Sequence, residues 1–325
     1  MDKVINLGIP HAGELIFKNI DTDKLVEFRS VSQTWQVLAE NVLLKRWKGK
    51  TFEACKSGKT EIVELLLNHS ENLEWNTKHR AGRTPFMSAC EKGHKEIVKL
   101  ILEYSLDRNI DLNARDEDGW TAFMWACGKE QTDIVKLLFD HSSERNIELN
   151  AKSDFGSTAF MLACRQGRKD VVKLLLDHQE KIDLNAKNEE EITALIMACT
   201  NGHSDVVKLL LDKSEIDPNA REEHGLNVAT AFVRACLEGH IDVVKLLLDY
   251  PVIKLNAREV LSLEVHGRTA FQLACEQGHF NVAELLLNYI DDPETQVKYK
   301  KILKEKKRSV LAATAVFQLV LLSFK

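Results

Sequence analysis

Small, apolar and charged positions recur along this chain in one fixed order. A Thr opens a short run of small and apolar residues ending in Ala-Cys, and a Gly or polar turn follows. A second block then carries charge at its start and Val and Leu beyond. The stretch GSTAFMLACRQGRKDVVKLLL from Gly156 is representative. Val171, Val172, Leu174, Leu175 and Leu176 supply the wide apolar stripe of a helix packed on one side. Thr84, Thr121, Thr158, Thr193, Thr230 and Thr269 stand where a hydroxyl can accept a backbone hydrogen bond and start a helix. Each block therefore predicts two short helices folded back on each other. Links such as DLNARDEDG from Asp111 and ELNAKSDFG from Glu148 carry Asn and Gly suited to tight turns. They are expected to project as loops.

The order repeats seven times. The seven cysteines, Cys55, Cys90, Cys127, Cys164, Cys199, Cys236 and Cys275, all follow Ala, at spacings of 35, 37, 37, 35, 37 and 39 residues. Such a period marks a repeat protein, whose units bury a continuous core only by stacking. Full blocks begin at Gly82, Gly119, Gly156, Glu191 and Gly267, another lies between Gly225 and Leu248, and an incomplete one begins at Thr51. The units resemble the ankyrin repeat, with its Thr-Pro-Leu-His, Ala-Ala, Gly-His, Val-Val and Leu-Leu-Leu positions, over residues 51 to about 290. The resemblance implies an all-α solenoid of about seven helix-turn-helix units. Phe86, Phe123, Phe160, Phe232 and Phe271 replace the family's Leu, and Glu130 and Gln131 replace one Gly-His, so that helix connection is expected to differ.

Residues 1–50 are not a repeat. Leu15, Ile16, Phe17 and Ile20 form one apolar patch, Leu25, Val26, Phe28 and Val31 a second, and Trp35, Val37 and Leu38 open a third. Three short helices in so few residues cannot bury all that surface alone. The order Ile-Pro, Glu-Leu-Ile-Phe, Asp-x-Leu, Val-Ser, Trp and Leu-x-x-Trp is similar to an F-box, although the stretch from Pro10 to Phe17 is a residue shorter than usual. That resemblance implies docking on a Skp-type adaptor of a cullin-based ubiquitin ligase. Ile9, Pro10, Leu15, Phe17 and Leu25 would contact or support the adaptor, and Val31, Trp35 and Leu38 would anchor the helices. The competing reading makes residues 1–50 a cap on the repeat stack.

Composition changes the picture only at the C-terminus. With 44% hydrophobic and 29% charged residues the chain should fold, and a net charge of −5 gives no reason to expect nucleic-acid binding. Residues 296–308 nevertheless hold seven Lys or Arg against Glu305, a local +6, and residues 309–324 carry no charge. The segment 291–325 is read as a helix covering the last repeat, with a tail anchor as the alternative. The uncharged run is short of the roughly 20 residues needed to span a bilayer. No secretory leader opens the sequence, which predicts a cytoplasmic address, with Lys304 to Arg308 leaving nuclear import open.

No catalytic or cofactor motif emerges. Cys90 and His94, Cys199 and His203, Cys236 and His240, and Cys275 and His279 have a superficial zinc-ligand spacing. Each Cys, however, stands where the family has a buried Ala, and each His belongs to the turn between helices. No phosphate loop, His-Glu-x-x-His pair or nucleophile elbow is present. The expected function is therefore protein recognition without enzyme activity, cofactor or metal, by a chain monomeric apart from its partners. The ankyrin resemblance places target contacts on loop tips and first helices. There the units of this chain differ most, at Arg80, Arg83, Glu117, Trp120, Lys129, Phe155, Arg165 and Gln166.

Overall fold

The computed structural model describes residues 17–30, 33–69, 75–218, 221–224, 227–250, 264–265, 268–290 and 292–323, with backbone alone at 34–35, 221–224, 227–230, 264–265, 268 and 310–323. The chain divides into two compact units, 1–149 and 150–325.

Unit one opens with α1 (Thr22–Phe28) and α2 (Gln33–Trp47), followed by three helix pairs: α3 (Thr51–Lys56) with α4 (Thr60–His69), α5 (Pro85–Lys92) with α6 (Lys95–Tyr104), and α7 (Ala122–Gly128) with α8 (Thr132–Asp140). The first helices α3, α5 and α7 pack in one layer and the second helices α4, α6 and α8 in another. α2 packs on α4, continuing the second layer. Around α1 and α2, Phe17, Leu25, Ala39, Val42 and Leu43 are buried, and Phe17 meets Phe28 at 5.7 Å between ring centroids. Arg46 ties α2 to Thr22 Oγ1 and the Lys18 carbonyl, at 3.2 Å each. Of the three predicted N-terminal helices, the first falls largely outside the described residues.

Unit two repeats the plan with α9 (Ala159–Arg165) and α10 (Lys169–Asp177), α11 (Ala194–Thr200) and α12 (Ser204–Leu211), α13 (Ala231–Leu237) and α14 (Ile241–Asp249), and α15 (Ala270–Glu276) and α16 (Phe280–Leu287). It ends in α17 (Pro293–Ser323), which packs on α15 and α16. Two antiparallel hairpins interrupt the helical pattern: β1 (Arg221–His224) with β2 (Asn227–Thr230), and β3 (Glu264–Val265) with β4 (Arg268–Thr269). They fall in the two linkers that are longer than their counterparts. The strands lie in the links between helix pairs, and the helices on either side keep their order.

The expected caps form. Thr84, Thr121, Thr158, Thr193 and Thr269 each accept a hydrogen bond from the backbone N–H three residues on, at 3.3–3.4 Å. The Thr230 side chain lies outside the described residues. Phe86, Phe123, Phe160, Phe232 and Phe271 are at most 2% exposed and belong to the core. The seven Ala-Cys thiols are buried, and desolvation holds those of Cys55, Cys90, Cys127, Cys199 and Cys236 well above the usual range. The Cys275 thiol is pushed up to about 11. They serve as small apolar side chains, inert at neutral pH.

Repeat-to-repeat adhesion uses two polar devices. The Gly-His turn His reaches back to the preceding repeat: His94 Nε2 lies 3.0 Å from the Lys56 carbonyl, His203 Nε2 2.9 Å from Arg165 O, and His240 Nε2 2.9 Å from Thr200 O. The ring lies against the preceding turn Gly, so a Cβ on Gly58, Gly167 or Gly202 would fall within 2.8 Å of it. The second device, in the described links, is an Asn. Asn113 donates to the Asn146 carbonyl (2.7 Å) and accepts from Glu148 N–H (2.9 Å). Asn76, Asn150 and Asn185 make the same paired bonds to Asn109 and Asp111, Lys181 and Asp183, and Glu215 and Asp217.

The third unit corrects one expectation. Glu130 takes the left-handed conformation of the Gly it replaces (φ 61°), and Gln131 Nε2 reaches the Glu91 carbonyl as the His would, at 3.5 Å. The helix connection is conserved, because the surrounding helices dictate a backbone that Glu tolerates at a cost.

Candidate protein-interaction surface

The loop turns set the site. Asp116 opens one: its N–H donates to the Trp120 carbonyl (3.1 Å), and its Oδ1 accepts from the N–H groups of Asp118 (3.1 Å) and Trp120 (2.8 Å). Asn188 plays the same part in unit two, accepting from Glu190 and Ile192 N–H, and Ser153 Oγ accepts from Ser157 N–H. Gly119 and Gly156 supply the left-handed residue these turns require, each at φ 75°. Glu191 occupies the corresponding place at φ 59°, held by Lys187 at 2.7 Å.

Asp116 does more than shape its turn. It is buried, and its Oδ2 accepts from the indole N–H of Trp125 on α7 at 2.9 Å. That bond fixes Trp125 beneath Trp120, with ring centroids 4.7 Å apart and planes inclined by 46°. The Arg83 guanidinium lies over the Trp125 ring at 3.9 Å, and the Lys129 ammonium stands 5.8 Å from the same centroid. Arg83 is held in turn by Glu91 Oε2 at 2.8 Å, a carboxylate only 11% exposed. Two cations thus flank a pair of indoles whose outer member, Trp120, is half-exposed. A cation over an indole contributes about 0.5–2 kcal/mol, more where water is excluded. The cluster is therefore preorganised: its aromatic and cationic groups are in place without a partner.

Of the expected target residues, Arg83, Trp120 and Lys129 come together around Trp125. Arg80 and Glu117 are exposed on the loops beside them, and Glu117 N–H donates to the Ala81 carbonyl at 3.1 Å, joining the two turns. In unit two Phe155 is 64% exposed at its loop tip, and Arg165 and Gln166 are exposed at the end of α9. Trp125, Asp116 and Glu91 were missed by the sequence reading. The signal for Trp125 was available: the residue before Ala-Cys is Ser88, Trp125, Leu162, Met197, Arg234 and Leu273 in successive units, a variable slot inside a fixed frame.

The N-terminal candidates separate. Ile9, Pro10, Leu15 and Val31, and the Trp35 side chain, lie outside the described residues. Phe17 and Leu25 are buried and support the helix pair from within, while Leu38 is half-buried beside Val37, which is 55% exposed. Among the described residues no cluster of His, Cys, Asp or Glu could hold a metal ion.

A family model described as ankyrin repeats (3 copies) matches residues 51–153, 145–222 and 220–297. Among solved structures, the crystal structure of the human ASB11 ankyrin repeat domain is similar at 21% identity and a TM-score of 0.59, over 75% of this chain and 98% of that one, a likeness of fold. No curated protein matches the sequence.

Proposed function

Since the chain belongs to the ankyrin-repeat family, and so is a protein-interaction module, we propose that it is a substrate receptor of a cullin-type ubiquitin ligase. The repeats hold the target and residues 1–50 hold a Skp-type adaptor. Catalysis is left to the ligase; the receptor acts by raising local concentration. The cation-flanked indole pair of unit one carries the target side of this reading, since exposed Trp and Arg dominate binding energy at interfaces. A matching target offers an apolar side chain to Trp120 with a carboxylate beside it for Lys129.

The adaptor side rests on the F-box-like order of residues 9–47 and on Val37, an apolar side chain exposed on α2. A second reading is a ligase-independent scaffold with residues 1–50 as a cap. The packing of α2 on α4 and the burial of Phe17 and Leu25 favour it. Co-purification of the full chain with a Skp-type adaptor separates the two. Val37→Asp changes an exposed position, so it should abolish co-purification while leaving thermal unfolding unchanged. Failure of the native chain to retain the adaptor would leave the scaffold reading standing.

A further inference from the structure

Helix α17 presents two faces. Tyr299 and Leu303 are buried against the last repeat, with Tyr299 stacked on Phe271 at 4.5 Å and 5° between planes. Lys307 folds onto the same side, paired with Glu284 and 5.7 Å from the Phe280 centroid. Opposite them, Val297, Lys301, Lys304 and Arg308 follow one another at intervals of four, three and four residues. They line a single stripe of the helix, and all four are exposed. Lys298, Lys300 and Lys306 are exposed at its flanks. This +6 segment belongs to a chain whose net charge is −5, so the positive charge is concentrated here.

The same helix then continues to Ser323 through a sequence without charge. At 1.5 Å per residue the uncharged helical part extends roughly 20 Å, short of the roughly 30 Å of hydrocarbon in a bilayer. Among the described residues no helix is long and apolar enough to cross a membrane. A rigidly mounted basic stripe running into an apolar helix of that length matches an anionic surface with a shallow apolar layer below it. Nucleic acid offers the anionic charge but nothing for the apolar part.

We propose that the outer face of α17 docks this protein on the surface of anionic membranes, with Lys301, Lys304 and Arg308 facing the lipid headgroups and the segment beyond Arg308 entering one leaflet. Each basic side chain near such a surface strengthens binding about fivefold. The test is co-sedimentation of the full chain with phosphatidylcholine vesicles, with and without phosphatidylserine, alongside a duplex DNA binding assay. The expected result is sedimentation only with phosphatidylserine. The triple variant Lys301→Glu, Lys304→Glu, Arg308→Glu should weaken it on the order of a hundredfold or more, with an unchanged helical spectrum and melting curve. Deleting residues 309–325 should leave a weaker binding that added salt abolishes. Sedimentation that survives the charge reversal, equal binding to both vesicle types, or binding to DNA but not to vesicles would overturn the proposal. None of these outcomes bears on adaptor co-purification, so the two readings stand or fall separately.

Discussion

At single positions, the most consequential contact is between a glycine of one repeat and a histidine of the next. Gly202 has φ 74°, and a Cβ there would lie 2.5 Å from His240 Nδ1. Gly202→Ala is expected to cost about 2 kcal/mol, combining left-handed strain with displacement of the ring and offset slightly by a less flexible unfolded chain. His240→Ala forfeits the bond to Thr200 O and should cost about 1 kcal/mol. The double variant should cost less than the sum, because the clash disappears with the ring. Denaturant titration of all four proteins measures this coupling, and strict additivity would refute it. The sequence pointed to these residues as a turn and no more. Their partners lie nearly forty positions away, and a local reading sees spacing but not the neighbour that stacking supplies. The Asn of the described links escaped for the same reason, whereas the Thr caps and core Phe residues were legible because their roles are played out within one helix and its periodicity.

Among the helices, the ends of the array differ from its middle. A middle helix pair buries both flanks against copies of itself, but a terminal pair has to be covered by something else. In unit one α2 lies on α4; in unit two α17 lies on α15 and α16. The segment on the second unit was read as a helix covering the last repeat, although the contact that anchors it, Tyr299 on Phe271, was not legible. Tyr299→Ala is expected to cost about 3 kcal/mol, since a buried aromatic and its stacking partner are both lost. The loss should appear as early unfolding of the last repeat during chemical denaturation, while Val297→Ala, on the exposed face, should unfold as the native chain does. The hairpins β1–β2 and β3–β4 were not legible in the sequence. Strand pairing in so few residues is decided by how their ends are held, which periodicity does not report.

Over the whole molecule, recognition and stability are carried by different residues. Exposed positions vary from unit to unit, while Thr, Ala-Cys, Gly and Asn repeat and hold the framework. Binding can therefore be altered without unfolding. For a target found by proximity labelling with the full chain, Lys129→Glu is predicted to weaken affinity about tenfold. Trp120→Ala should weaken it by roughly ten- to a hundredfold. Lys129→Glu should shift the melting temperature by no more than about 2 °C, since its side chain is exposed. Isothermal titration with the purified target checks both. Unchanged affinity in both variants would move the target site away from unit one, with Phe155 the next position to examine. The location of the cluster was half visible in advance, because Arg83, Trp120 and Lys129 vary between units. Its centre at Trp125 and Asp116 needed the fold, which brings a loop carboxylate to an indole nine residues on.

One buried sulfur per repeat also gives this protein a set of built-in clocks. A thiol shielded by packing can be alkylated only while its own repeat is open. Brief exposure to iodoacetamide followed by peptide mass analysis would therefore time the breathing of each repeat in the native chain, with no label introduced. Cys275, in the last repeat, is expected at the fast end of that scale, because terminal elements open most readily.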